Sequence, residues 1–214
     1  MPKPLTVLVT GFGPFPGAPV NPTETLTARL LRLRRPALAE LRLVGHVFRT
    51  SYAAVDAELP MLIAEHRPDV VLMFGLATRT KFLRVETCAR NVRSSLLADA
   101  AGQLPALRIL AAGGPARLSG RAPFISLLAA LRRTRLPVRL SRDPGRYLCN
   151  YAYWRAAEIP PPLRPLLVVF VHVPKLLRGR RPQARAKTRG FTPADLERAG
   201  EAVLCTLVAA ARKR

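Results

Sequence analysis

Three short apolar runs mark the first third of the chain, separated by helix signals. Their order narrows the fold more than any other feature. The run Leu5-Thr6-Val7-Leu8-Val9-Thr10, bounded by Pro4 and Gly11, reads as a buried strand. Asn21-Pro22-Thr23-Glu24 then starts a helix, with Asn as cap, Pro at the first helical position and Glu completing a capping-box variant. Leu26, Leu30 and Leu33 give that helix its apolar face before Pro36. A second strand is predicted over 41–48 and a helix over 51–66, which Pro60 splits or restarts. The third strand is predicted over 69–74, closed by Gly75. The order βαβαβ with short connections predicts an α/β fold, a parallel sheet covered by helices. Ligands bind beyond the carboxyl ends of such strands, where the Gly75 loop and the Gly11–Gly17 loop, with Phe12 and Phe15, both lie. That second loop lacks Gly-Lys-Ser/Thr and the GxGxxG spacing, so it is not a phosphate cradle.

Residues 83–92 read as an extended segment with Glu86, Cys88 and Arg90 on one face. Residues 94–118 show no clear pattern beyond a short strand at 107–110. A helix is predicted over 123–133 with Ile125, Leu128 and Leu131 inward, and a strand over 136–140. A strongly apolar strand over 166–172 ends at His172-Val173-Pro174, and a basic run over 178–189 reads as a solvated loop. Thr192-Pro193-Ala194-Asp195 opens a last helix to about residue 212, with Leu196, Ala199, Val203 and Leu207 inward. There is no internal repeat and no linker, so residues 1–214 are expected to form a single domain.

A hydrophobic share of 49% is enough for a sizeable core, yet no apolar run reaches the length of a membrane span. Met1-Pro2-Lys3-Pro4 leads straight into the first strand without a signal-peptide core, the pattern expected of a cytoplasmic protein. The net charge of +22 suits a polyanion such as RNA. However, only five of the 35 basic residues are lysine, and the arginines are spread along the whole chain. That distribution, with the abundance of Ala, Leu, Pro and Gly, also follows from a GC-rich coding bias. The three cysteines are widely spaced, with no CxxC or Cys/His cluster, so neither zinc nor any other cofactor is called for.

One segment looks built for chemistry. In 141–150 an Asp-Pro-Gly turn, where Gly145 permits positive φ, delivers Cys149 to the start of a helix. A thiol there meets unpaired N–H groups and the positive end of the helix dipole, which favour the thiolate. The other reading of Cys149 is a small buried hydrophobe. A cysteine nucleophile needs a base, and the base an orienting group. His46 lies mid-strand and His66 at a helix C-terminus, whereas His172 ends a buried strand at the carboxyl edge of the sheet. Glu86 is the candidate orienting carboxylate, its alternative being a salt bridge to Arg84 or Arg90. Asp143 reads as a turn former, Cys205 as a core residue, and Cys88 lacks a helix start.

The chain resembles pyroglutamyl-peptidase I, also called pyrrolidone-carboxylate peptidase, a family of cytosolic cysteine peptidases. The likeness rests on Thr10 through Phe15, Asn21-Pro22, Gly75, Glu86 with Ala89 and Asn91, Ser141 with Gly145 through Asn150, and His172-Val173-Pro174. It implies a three-layer α/β/α sandwich around a mostly parallel sheet, and hydrolysis of N-terminal pyroglutamyl residues from peptides. It also implies Cys149 as nucleophile, His172 as base and Glu86 as its orienting group. Phe12 and Phe15 would wall a slot for the flat lactam, with Tyr147, Leu148, Leu76 and Asn21 at the same pocket. Leu76 stands where well-known members often carry glutamine. Homo-oligomers, tetramers or dimers, are implied as well. The alternatives are a member without turnover, or a polyanion-binding protein on the same fold.

Overall fold

The computed structural model describes residues 4–177 and 190–214; the basic run 178–189 lies outside the described residues. The elements in chain order are β1 (Thr6–Phe12), α1 (Pro22–Leu31), β2 (Arg42–Phe48), α2 (Tyr52–His66) and β3 (Val70–Leu76). Then come β4 (Leu83–Glu86), β5 (Cys88–Arg90), β6 (Arg117–Ser119), α3 (Phe124–Arg133) and β7 (Val138–Ser141). The chain closes with α4 (Leu148–Ala157), β8 (Leu167–Val173) and α5 (Pro193–Ala211). Three of these helices start as their sequences require: the side chains of Asn21, Ser51 and Thr192 accept from backbone N–H groups of α1, α2 and α5. Thr192 and Asp195 form a full capping box.

Six strands form the central sheet in the order β2-β1-β3-β8-β4-β7. All neighbouring pairs are parallel except β4 against β8. Alternate residues face opposite layers, as the two-residue period of a strand demands. Val7, Val9, Leu72, Val169 and Val171 belong to the core under α1, α3 and α5. Leu8, Val71, Met73, Val168 and Phe170 belong to the core under α2 and α4. Helices on both faces leave the inner strands β1, β3 and β8 fully buried, which is why they read as near-continuous apolar runs, while the edge strands β2 and β7 stay partly exposed.

Several expectations need correction. Pro60 does not split α2, which is continuous. Val55, Leu59, Leu62 and Ile63 bury its inner face, and that packing outweighs the ~3 kcal/mol a mid-helix proline costs. Gly75 does not close β3; the strand runs through it to Leu76. The extended segment 83–92 breaks after Glu86, and β5 pairs instead with β6 in a separate two-stranded sheet. Residues 107–110 are not a strand; Asn91 Oδ1 accepts from Leu110 and Ala111 N and so holds that loop by a side chain. The inner face of α3 is Leu127, Ala130 and Leu131, while Ile125 is 73% exposed. Cys205 is only half-buried, at the edge of the core.

Candidate active site

β8 carries His172. Its apolar sequence buries it between β3 and β4, and this insertion places His172 opposite Gly75 on one side and Arg84 on the other. His172 is 3% exposed and Glu86 not at all. The imidazole Nδ1 lies 2.7 Å from Glu86 Oε1. The carboxylate accepts from Nδ1–H, which assigns the tautomer and leaves Nε2 with its lone pair free.

The thiol arrives from the other side. The turn before α4 is held by Asp143, whose N–H donates to Ser141 Oγ (3.2 Å) and whose Oδ1 accepts from Gly145 N (3.2 Å), with Gly145 at φ +86°. α4 begins at Leu148, so Cys149 is its second residue. Sγ then lies over Gly75: a Cβ at that position would stand 2.6 Å from it. The register partner of His172 is therefore the residue whose missing side chain makes room for the thiol. No hydrogen bond joins Sγ to the imidazole in this structure, and α4, unlike α1, α2 and α5, has no side-chain cap over its first N–H groups.

Charges at the centre follow from burial and neighbours. Burial works against the Glu86 carboxylate. The bond to His172 and its charge, the Ser141 hydroxyl and the Arg84 guanidinium together outweigh burial and hold Glu86 below the usual range. Burial lowers His172 below an ordinary histidine; Glu86 opposes this and Arg84 adds to it. Burial pushes the Cys149 thiol up to about 12, with Glu86 acting the same way and Arg84 against. Burial thus works against the thiolate that the helix start favours. A helix terminus supplies ~0.3–1 kcal/mol, whereas burying an ion costs several kcal/mol.

A cavity of about 400 Å³ opens at this point. Phe12, Phe15, Asn21, Leu76, Tyr147 and Leu148 line it, together with Cys149 and His172. Glu86 sits behind His172 and does not line it. Phe15 and Tyr147 face each other with ring centroids 6.1 Å apart, and the Tyr147 hydroxyl donates to Ala98 O (2.9 Å), so that residue offers the cavity its ring. Asn21 spends its polar atoms on structure: Nδ2 donates to Gly13 O and Oδ1 accepts from Thr23 N. The remaining thiols are elsewhere, Cys88 donating to Arg142 O and Cys205 on α5. His46 pairs with Glu58, and Asp143 pairs with Arg90.

In sequence Arg84 offers only a salt-bridge partner for Glu86. Its Nε does stand 2.9 Å from Glu86 Oε1, but its Nη2 also stands 3.2 Å from His172 Nδ1, and the residue lines the cavity. The alternation of a strand was the available signal, since residues 84 and 86 share a face. Thr50, which donates to Gly13 O, and the segment 77–80 also line the cavity without a signal in sequence. Among the described residues no cluster of His, Cys, Asp or Glu has the makings of a metal site, and no helix is long and apolar enough to cross a membrane.

The arrangement supplies what acyl transfer needs: a thiol, a base with a free lone pair, a carboxylate behind it, unfilled N–H groups and an apolar slot. Comparison with known proteins points the same way. The family model for pyroglutamyl peptidase matches residues 5–213. The pyrrolidone-carboxylate peptidase of Thermococcus onnurineus is 31% identical over 150 residues, 70% of this chain and 73% of that protein. The one from Clavibacter michiganensis is 35% identical over 149 residues, 70% of this chain and 68% of its own length. Among solved structures, the pyrrolidone carboxyl peptidase of Thermococcus litoralis matches with a TM-score of 0.84 at 25% identity, covering 98% of this chain and 96% of that one. That of Fervidobacterium islandicum matches with a TM-score of 0.83 at 26% identity, covering 95% and 98%.

Proposed function

The chain belongs to the pyroglutamyl peptidase family and is a hydrolase of that kind, and on that premise we propose that it removes N-terminal pyroglutamyl residues from peptides through Cys149, His172 and Glu86. The observation that carries this reading is the register: Gly75 opposite His172, with Sγ in the space a side chain at 75 would fill and Glu86 on Nδ1. The lactam of pyroglutamate is flat and uncharged, so an apolar slot between Phe12, Phe15 and the Tyr147 ring suits it better than an anionic pocket would. His172 Nε2 takes the thiol proton as Sγ attacks the lactam-bearing carbonyl carbon, and Glu86 stabilises the imidazolium that forms. The uncapped N–H groups at the start of α4 receive the oxyanion. His172 then protonates the leaving amine as the C–N bond breaks, leaving a thioester. Water, deprotonated by His172, cleaves it to pyroglutamate and restores the thiol.

A fluorogenic pyroglutamyl amide under reducing conditions tests this. The protein is expected to release the fluorophore. Cys149→Ser abolishes release and His172→Gln lowers it by about 10²–10⁴-fold, while Cys88→Ser and Cys205→Ser retain it. Silence of the unsubstituted protein, or full turnover by Cys149→Ser, refutes the reading.

A further inference from the structure

The cavity is not uniform along the sheet edge. Taken in strand order, Phe12 stands on β1, Gly75 and Leu76 on β3, His172 on β8 and Arg84 on β4. The lining thus runs from apolar to cationic across the thiol. Beyond β3 the chain crosses the carboxyl end of β8, where Ala77 N donates to Val173 O (2.9 Å), and this crossing carries Arg79 into the lining. Arg146, three residues before Cys149, lines the same mouth. Arg79 and Arg146 are exposed, and among the described residues neither side chain has an ion pair or a hydrogen bond. No Asp or Glu lines the cavity. Carboxylates close to lining residues are already engaged: Glu86 with His172 and Arg84, Asp143 with Arg90, and Asp99 with the backbone N–H groups of Tyr52, Ala101 and Gln103.

Resting on the proposed hydrolysis, with the lactam at the β1 end and the leaving amine at His172, we infer that the leaving side of this cleft selects peptides that present a carboxylate just after the scissile bond. The carboxylate is either the side chain of an acidic residue following pyroglutamate or the free carboxyl terminus of a pyroglutamyl dipeptide. Two guanidiniums that have no partner in the protein can bind it without breaking an internal pair, and Arg84 adds field from behind. A lysine at the same place meets like charge with nothing to offset it.

The test uses the full-length Cys149→Ser protein, which holds peptide uncut, and calorimetric titration with four probes: pyroglutamyl-glutamate amide, pyroglutamyl-lysine amide, pyroglutamyl-alanine amide and pyroglutamyl-alanine with a free carboxylate. At low salt the glutamate amide is expected to bind about tenfold more tightly than the lysine amide. The ratio shrinks as salt is added, and shrinks again in Arg79→Ala and Arg146→Ala. Tighter binding of the free acid than of the alanine amide assigns the dipeptide carboxylate as a source; a gain confined to the glutamate amide assigns the side chain. Equal affinities throughout, or a preference unmoved by salt and by both arginine substitutions, overturns the inference. A protein that ranks the peptides but leaves the fluorogenic amide intact overturns the hydrolysis and keeps the charge selection. One that cleaves the amide without ranking does the reverse.

Discussion

Arg84 is the residue that most changes the chemistry expected of the triad. Its guanidinium stands between Glu86 and His172, 2.9 Å from Oε1 of one and 3.2 Å from Nδ1 of the other. Because Nδ1–H already donates to Glu86, the guanidinium cannot donate to that nitrogen and acts on it only as a positive charge. The charged groups acting on the ring are Glu86 and Arg84 from β4 and Asp143 from the turn before α4, and the Cys149 thiol lines the same cavity. Burial, with Arg84 adding to it, favours neutral imidazole and lowers His172. A base with a lowered value stays unprotonated to lower pH, so the acid limb of kcat/KM is expected below the ordinary histidine range near 6.5. Arg84→Gln removes one of the two influences that disfavour the imidazolium, and Glu86 still favours it. The acid limb should therefore move to higher pH, measured with an uncharged pyroglutamyl amide so that the rim plays no part. A limb that stays in place would show that Arg84 only props the strand. Cys149, His172 and Glu86, the proposed triad, stood out in sequence because each sits at a marked position: a turn into a helix, a strand into Pro174, a carboxylate after a glycine. Arg84 did not, because its meaning depends on β8 lying opposite it, and nothing local says so.

At the scale of elements, β3 and α3 show where local signals mislead. A glycine after five apolar residues reads as a stop, yet β3 continues through Gly75 and pairs with β8 as far as Leu76 and Val173. The glycine is needed for space. An added Cβ would stand 2.6 Å from Cys149 Sγ and 2.6 Å from Phe170 Cζ. Gly75→Ala should then cost ~1–3 kcal/mol by overpacking, read from a urea midpoint. It should lower turnover by about 10²-fold by displacing the thiol. If turnover survives while stability falls, Sγ has another place from which to attack. On α3, residues 124–131 offer apolar side chains on nearly every face, so periodicity alone cannot choose the inner one. The neighbours choose Leu127 and Leu131 and leave Ile125 in solvent. Leu127→Ala should cost about 2–5 kcal/mol, whereas Ile125→Ser should change stability by less than ~0.5 kcal/mol. The same unfolding series decides both.

For the whole molecule, the βαβαβ start was legible because it is built from neighbours in sequence. The order β2-β1-β3-β8-β4-β7 was not, since β8 comes from far along the chain to fill the gap between β3 and β4. That late insertion assembles the site, and it happens in a chain carrying 35 basic against 13 acidic residues. Arg29–Glu197 at 2.7 Å and Arg35–Glu201 at 2.6 Å tie α1 and the turn after it to α5. Both pairs are partly exposed, and such pairs contribute at most ~1 kcal/mol each. Carboxylates are too few to partner the remaining arginines, so long-range repulsion among a net +22 charges opposes the compact state. Raising sodium chloride from about 0.01 M to about 0.15 M shortens the screening length from about 30 Å to about 8 Å. That change weakens repulsion across the molecule more than it weakens pairs in contact. The melting temperature should rise, by about 2–4 °C for each ~1 kcal/mol recovered. A fall would mean that ion pairs, not repulsion, dominate the balance. Over the same salt range the preference for acidic peptides should decline, because the attraction of the cleft for a carboxylate is screened along with the repulsion. Stability and selectivity moving in opposite directions in one titration is what an excess of unpartnered arginines requires.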